Sequence, residues 1–229
     1  MTASDPRSSL ISLLKGVLHF NRDVFPEKEE MFKNLASSQS PSTLFIACAD
    51  SRVSPGLITQ QEPGNLFIVR NVGNIVPAYG DMLGGVSSAV EYAVVGLKVS
   101  HIIVCGHSDC GAMTALMNPD PGALSKMPTV QTWLRNAEAA RAVAKTMCAE
   151  DAGPAAVRSL AEQNVLLQLA HLRTHPSVAA ALARKEIILL GWFYDIGTGE
   201  VQVLDEQQRH TISIEEAIAH LEDTPQAAA

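Results

Sequence analysis

Two short motifs in this chain carry residue types that bind metal. One is C-A-D-S-R, Cys48 to Arg52; the other is H-S-D-C, His107 to Cys110, inside the longer run His101 to Met113. An imidazole and a thiolate three residues apart can close on one zinc ion, because a turn followed by the first residues of a helix folds back on itself. Cys48 would join them from a neighbouring strand end, where ligands gather in open parallel sheets. Three protein ligands, Cys48, His107 and Cys110, leave a fourth tetrahedral position for water, the usual arrangement of a catalytic rather than a structural zinc. A structural zinc closed by Asp50 stays open on this reading, since Asp50 follows Cys48 so closely.

Asp50 and Arg52 decide what such a site can do. Alternate residues at a strand end share a face, so Cys48, Asp50 and Arg52 can point at one cavity. A guanidinium forked onto the carboxylate fixes it and keeps it ionised. Asp50 is then expected to accept a hydrogen bond from zinc-bound water or hydroxide and to relay its proton; the plain alternative is a surface ion pair. Two thiolates and a neutral imidazole cancel the charge of the ion. Water there should ionise less readily than on three neutral histidines, so activity is expected to rise toward alkaline pH.

The elements that must position these residues can be read from hydrophobic periodicity. Thr43 to Cys48, Asn65 to Arg70, His101 to Cys105 and Glu186 to Phe193 read as strands, the first apolar on both faces as in the middle of a helix-covered parallel sheet. Val86, Ala89, Val90, Ala93, Val94 and Leu97 fall at helical steps and lead into the strand at His101, which makes a parallel crossover unit. Helices are expected over Val130 to Glu150, Ala155 to Arg173, Pro176 to Arg184 and Glu215 to Leu221. Asn118 to Pro128 reads as a surface connection and Asn71 to Gly85 as a loop lining a site. Glu200 to Leu204 and Arg209 to Ile212 read as an edge pair. At the start, residues 1 to 8 read as frayed. An amphipathic helix over Leu10 to Leu18 is interrupted at Phe25-Pro26 and resumes over Glu27 to Leu35. The fold class is therefore α/β, a central, mostly parallel sheet flanked by helices. It is one domain with a helical arm over 1–36, a zinc-binding core over 37–205 and a C-terminal edge with an Ala-rich tail over 206–229.

Composition narrows the function. A chain of 229 residues that is 47% hydrophobic builds a substantial core. A formal net charge of −7 and no basic block argue against nucleic acid as a partner. No run reaches 18 apolar residues, no N-terminal segment has signal-peptide form, and the cytoplasm is the expected compartment. The four cysteines allow two disulfides by count, but a core of this size needs none. Cys105 lies inside a strand and should face the core; Cys148 has no evident partner. His101, His171 and His175 read as structural or surface residues, and Trp133 and Trp192 as packing or interface residues.

At these residues the chain resembles the β-class carbonic anhydrases, nearest their plant-like and bacterial cyanate-operon-associated branch. The resemblance is carried by C-A-D-S-R at 48–52, E-P-G-N-L-F at 62–67, R-N-V-G-N-I-V at 70–76 and G-G-V-S-S-A-V-E-Y at 84–92. C-G-H-S-D-C-G-A-M at 105–113, H-P-S-V at 175–178 and G-W-F-Y-D-I at 191–196 extend it over roughly residues 9 to 205. It implies one zinc per subunit on Cys48, His107 and Cys110, and a catalytic pair of Asp50 and Arg52. It implies a substrate pocket of Gln39, Phe67, Val72 and Tyr92, with Gln39 acting across a dimer interface. The reaction implied is reversible hydration of carbon dioxide to bicarbonate by zinc-bound hydroxide. The implied assembly is a homodimer, in places paired into a tetramer or octamer, with the arm packing on its neighbour and the sites completed at the interface. A related type of the family binds bicarbonate beside the site through a tryptophan, an arginine and a tyrosine. Here Arg70 and Tyr194 match, but Phe45 stands where the tryptophan would be, which favours the open form with water on zinc. Hydrolysis of carbonyl sulfide or carbon disulfide on the same fold is the alternative activity, and a non-catalytic zinc protein with Asp50 on the metal is the other.

Overall fold

The strand Thr43–Cys48 (β1) is buried along its whole length, as its unbroken apolar sequence requires in the middle of a sheet. In the computed structural model, which describes residues 5–80, 84–148, 153–206 and 209–223, it lies between Leu66–Asn71 (β2) and His101–His107 (β3), parallel to both. After α4 (Pro55–Thr59), α5 (Gly85–Glu91), α6 (Gly111–Met117), α7 (Pro121–Leu124), α8 (Pro128–Leu134), α9 (Glu138–Met147), α10 (Pro154–Leu172) and α11 (Pro176–Ala183), the strand Ile188–Tyr194 (β4) adds parallel to β3. Val201–Leu204 (β5) and Thr211–Ser213 (β6) add antiparallel at that edge, and a helix over Ile214–Asp223 (α12) follows. The sheet order is β2-β1-β3-β4-β5-β6. This is the expected α/β fold with a mostly parallel sheet.

Strand parity sorts the core into two clusters. Leu44, Ile46, Cys48, Ile102 and Val104 belong to the large one, with α6, α9 and α10; Phe45, Ala47, Ile103 and Cys105 belong to the small one on the other face. Cys105 therefore points away from Cys48. Burial pushes its thiol up to about 12, so it stays a core residue, as expected. On the large face α10 crosses β3 at Gly106, where a methyl group would lie 2.8 Å from Val165 Cγ2 and 3.3 Å from the Ala161 carbonyl oxygen. Only a residue without Cβ lets the helix approach this closely.

Several expected boundaries move. The single helix over 130–150 is two, α8 and α9, joined by a tight turn at Arg135–Ala137. The Asn136 side chain donates to the Trp133 carbonyl at 2.9 Å and competes with the helical ladder there. Beyond Cys148 the expectation lies outside the described residues. The helix before β3 widens by one residue per turn over Tyr92–Gly96, with the Leu97 amide donating to the Tyr92 carbonyl. The expected surface connection 118–128 contains α7 and buries Leu124.

Contacts divide the chain into two compact units, Met1–Gln39 and Ser40–Ala229. The first is helical, over Pro6–His19 (α1), Phe25–Glu27 (α2) and Glu29–Leu35 (α3), with Asp5 capping α1. The chain stays helical through Phe25-Pro26, contrary to expectation. A wide turn over Phe20–Val24 precedes the proline and accommodates its missing N–H. The break comes at Lys28, with φ −115° and ψ 13°. Phe25 and Phe32 stack at 5.4 Å, and Phe20 meets both edge to face at 6.1 and 6.0 Å. Of the start expected to fray over residues 1 to 8, Pro6 to Ser8 already belong to α1, while residues 1–4 and the Ala-rich tail lie outside the described residues.

Candidate metal centre

The register of the sheet brings the two motifs together. Ala47 pairs with Cys105, so Cys48 leaves β1 level with Gly106, and His107 ends β3 one residue later. Asp109, at φ 52°, turns the chain back, and Cys110 opens α6. The Sγ atoms of Cys48 and Cys110 and a ring nitrogen of His107 lie within 4.8 Å of one another, and all three residues are buried. No other group of three such side chains occurs among the described residues.

His107 is held for ligation. Its Nδ1 lies 2.8 Å from the Ser108 carbonyl oxygen, which can only accept, so Nδ1 carries the proton. Nε2 is then the bare lone pair; it is buried and has no hydrogen-bond partner. A buried imidazole nitrogen with nothing to bind is costly unless a cation faces it.

The sulfurs fit the same ion. The Cys48 thiol is drawn far below its ordinary range, first by the hydrogen bond from the Cys110 thiol and further by the Gly73 amide, against the opposing effect of burial. That amide lies 3.4 Å from Cys48 Sγ. Cys110 is held up by the Cys48 sulfur and by burial, while the Ala112 and Met113 amides pull the other way. A pair of buried sulfurs sharing a proton is what a divalent ion displaces when it binds thiolates. Two thiolates and one imidazole suit zinc rather than a hard cation such as magnesium or calcium.

Asp50 is turned toward Arg52. Arg52 Nε and its backbone N–H donate to Asp50 Oδ1, each at 3.0 Å, and Nη2 donates to Oδ2 at 2.8 Å. This fork holds the Asp50 carboxyl well below the usual carboxylate range. Arg52 Nη2 also donates to the Asp109 carbonyl at 3.0 Å, which ties the first motif to the second. Arg70, from β2, braces the same segment: its Nε donates to the Cys48 carbonyl at 3.0 Å and its Nη2 to that of Asp50.

The remaining residues singled out in the sequence lie elsewhere. Val72 follows β2 next to Gly73, and Trp133 Nε1 donates to its carbonyl at 2.8 Å. Phe67 and Tyr92 form a pair 5.8 Å apart. Phe67 is level with Leu44, four rungs from the Cys48–Asn71 pair, or roughly 13 Å along the sheet at the usual rise per residue. Within one chain these two rings therefore border β2 rather than the thiol cluster. Gln39 is exposed and ends the N-terminal unit. Phe45 is fully buried and meets Trp192 edge to face at 5.8 Å, in the small cluster that also includes Tyr194. Sequence reading missed Arg70 as a brace and Trp133 as a hydrogen-bond donor. The first was visible as an arginine on a strand and as a match to the bicarbonate-binding type, with nothing to mark it as a brace, and the second had no local signal.

Comparison with known proteins gives the same answer as the site. The family model described as carbonic anhydrase matches residues 43–201. The carbonic anhydrase of Pseudomonas aeruginosa is 51% identical over 205 residues, 89% of this chain and 91% of that protein. Among solved structures, the β-carbonic anhydrase CcaA superposes with a TM-score of 0.84 at 39% identity, covering 90% of this chain and 99% of that one. Tetrameric β-carbonic anhydrases of the filamentous ascomycete Sordaria macrospora superpose at 0.76 with 28% identity, over 86% and 97%. The match spans both cysteine motifs and the sheet that aligns them, and the chain belongs to the β-carbonic anhydrase family, as an enzyme that hydrates carbon dioxide.

Proposed function

We propose that this enzyme holds one zinc ion on Cys48, His107 and Cys110 and uses Asp50, fixed by Arg52, as its orienting acceptor and proton relay. The observation that carries this reading is the orphaned His107 Nε2 beside two buried sulfurs. A zinc ion so held supplies a Lewis acid that acidifies water. Asp50 Oδ1 accepts two hydrogen bonds from Arg52 and Oδ2 one, so the second lone pair of Oδ2 is what remains to orient a water. Its depressed pKa makes it a poor place to store the proton that hydration releases. Asp50 therefore passes that proton on to buffer rather than resting protonated. The same fork favours the open form, because closing the metal with Asp50 would give up those bonds to Arg52. The Phe45–Trp192 pair, packed where the bicarbonate-binding type has its tryptophan, supports the same choice.

Phe67, Val72 and Tyr92 supply the apolar surface that a molecule without a dipole requires, and Gln39 the amide donor. The distance of the Phe67–Tyr92 pair from its own thiol cluster supports the assignment of those rings to the site of a second copy. Exposure of Leu10, Leu13, Leu14, Val17 and Leu18 supports an arm over 1–36 that lies on a neighbour, with the core over 37–205 and the edge and tail over 206–229. A dimer, paired as in the tetrameric Sordaria macrospora relatives, follows from that reading. Among the described residues no helix is long and apolar enough to cross a membrane, and the cytoplasm is the compartment proposed.

The test is stopped-flow carbon dioxide hydration with zinc content measured on the same sample. Asp50→Asn should keep its zinc and lose turnover by about 10²- to 10⁴-fold, the usual contribution of a positioned acid–base group. Unchanged turnover would remove Asp50 from the mechanism. Loss of zinc together with turnover would make it a ligand instead.

A further inference from the structure

Gly73 to Pro77 follows β2 without a strand or helix of its own, yet its peptide groups are gripped by side chains from α10 and the turn after it. Asn164 Nδ2 donates to the Gly73 carbonyl at 2.9 Å. The Val76 amide donates to Gln168 Oε1 at 2.9 Å, and Gln168 Nε2 donates to Asn164 Oδ1 at 2.8 Å. His171 Nδ1 donates to the Val76 carbonyl at 2.7 Å and His175 Nε2 to that of Pro77 at 3.0 Å. Asn164, Gln168 and His171 stand at steps of four and three, so they form one stripe down the α10 face, and His175 follows as the cap of α11. Asn164 and Gln168 are fully buried. A buried amide pair of this kind is retained at a cost unless every group is satisfied, and here its satisfied end is the Gly73 peptide.

The other peptide of the same residue touches the metal centre. The N–H of Gly73 is the group aimed at Cys48 Sγ. The residue sits at φ +78°, and a methyl group on it would meet Met113 Cε at 3.0 Å, so glycine is the residue this position takes. The peptide plane is rigid. Asn164 on the carbonyl side of Gly73 and Cys48 on the amide side therefore hold two neighbouring planes of one residue whose backbone has little room to turn.

We infer that Asn164, backed by Gln168, is a positioning residue for the Cys48 ligand: it fixes Gly73 so that an N–H donor stays on the thiolate sulfur. This rests on the reading of Cys48 as a zinc ligand. Groups that orient a ligand change metal affinity by about 10- to 100-fold. Asn164 acts through one peptide, so the low end, about tenfold, is expected.

The experiment compares the full-length wild type with Asn164→Leu, which is close in volume and cannot hydrogen-bond. Zinc affinity is read by competition with a chromophoric chelator, and the sulfur environment by the thiolate-to-cobalt charge-transfer band of the cobalt(II) protein. Asn164→Leu should bind zinc about tenfold more weakly, and its band should move to longer wavelength, because a sulfur with one donor fewer holds its electrons less tightly. His175→Gln, which loosens Pro77 instead, should leave both readings at wild-type values. A folded Asn164→Leu with wild-type affinity and band overturns the inference, and so does an equal loss in His175→Gln, which would mean general loosening. Wild-type zinc affinity in Cys48→Ala would overturn the ligand reading instead. If Asn164→Leu does not fold, the unaltered chain decides: loaded with ¹¹³Cd and labelled with [¹⁵N]glycine, it should show a cadmium coupling on the Gly73 amide proton, and its absence overturns the assignment.

Discussion

Gly106→Ala tests whether the close seating of α10 on the sheet is what the fold depends on beside the metal centre. The new methyl group would lie 2.8 Å from Val165 Cγ2 and 3.3 Å from the Ala161 carbonyl oxygen. Neither neighbour yields easily: valine is confined in χ1, and the carbonyl belongs to the helix backbone. Relief requires α10 to move by several tenths of an ångström, so the cost should fall in the upper half of the overpacking range, about 2 to 3 kcal/mol. Val165→Ala removes the closer neighbour and leaves a cavity at a fully buried position, which by itself costs about 2 kcal/mol. In the double variant the added methyl group occupies part of that cavity. The two changes should then cost about 1 to 2 kcal/mol less together than their sum. Urea unfolding followed by the fluorescence of Trp133 and Trp192, at one protein concentration, measures all four proteins. Additive losses would show that Val165 is not the obstacle, and a neutral Gly106→Ala would refute the argument for tight helix–sheet contact altogether.

Other perturbations separate ligation from stability. Cys48→Ser and Cys110→Ser should each purify with much less zinc than the wild type, since a serine hydroxyl does not replace a thiolate on this metal; near-stoichiometric zinc in either would remove that residue from the ligand set. His175 gives a pH test of the fold. Burial depresses its pKa most, with His171 adding to the effect and the Pro77 carbonyl opposing it. A histidine depressed in the folded state contributes its full stability above the ordinary imidazole value of about 6.5 and loses it as the pH falls through the lower folded value. Urea midpoints measured from neutral pH downward should therefore fall less steeply in His175→Gln than in the wild type. Parallel curves would show that His175 is not the group being charged.

What the sequence made legible follows from range. The motif around His107 could be read because its chemistry lies within one turn: Ser108 supplies the carbonyl that fixes the imidazole, Asp109 the left-handed bend, and Cys110 the thiol that clusters with it. Cys48 and Cys105 could be told apart because strand parity decides faces before any tertiary contact is known. The stripe of Asn164, Gln168 and His171, with His175 beyond it, gave no such signal. Two histidines there read as structural or surface residues, and the amides looked like the polar positions any helix carries. Their partners lie more than ninety positions upstream, on a loop whose place depends on β2, β1 and α10 all being seated first. Glycine at 106 is legible in the same incomplete way, as part of a motif but not as the point where a helix must touch. Local chemistry thus pointed to the thiols and imidazole that the fold brings together. The groups that keep those atoms in place are set by packing between distant segments, and a single helix period cannot announce them. The same reasoning explains why no distance between Phe67 and Cys48 could be read from the sequence: register, which fixes that distance, is a property of paired strands rather than of either one.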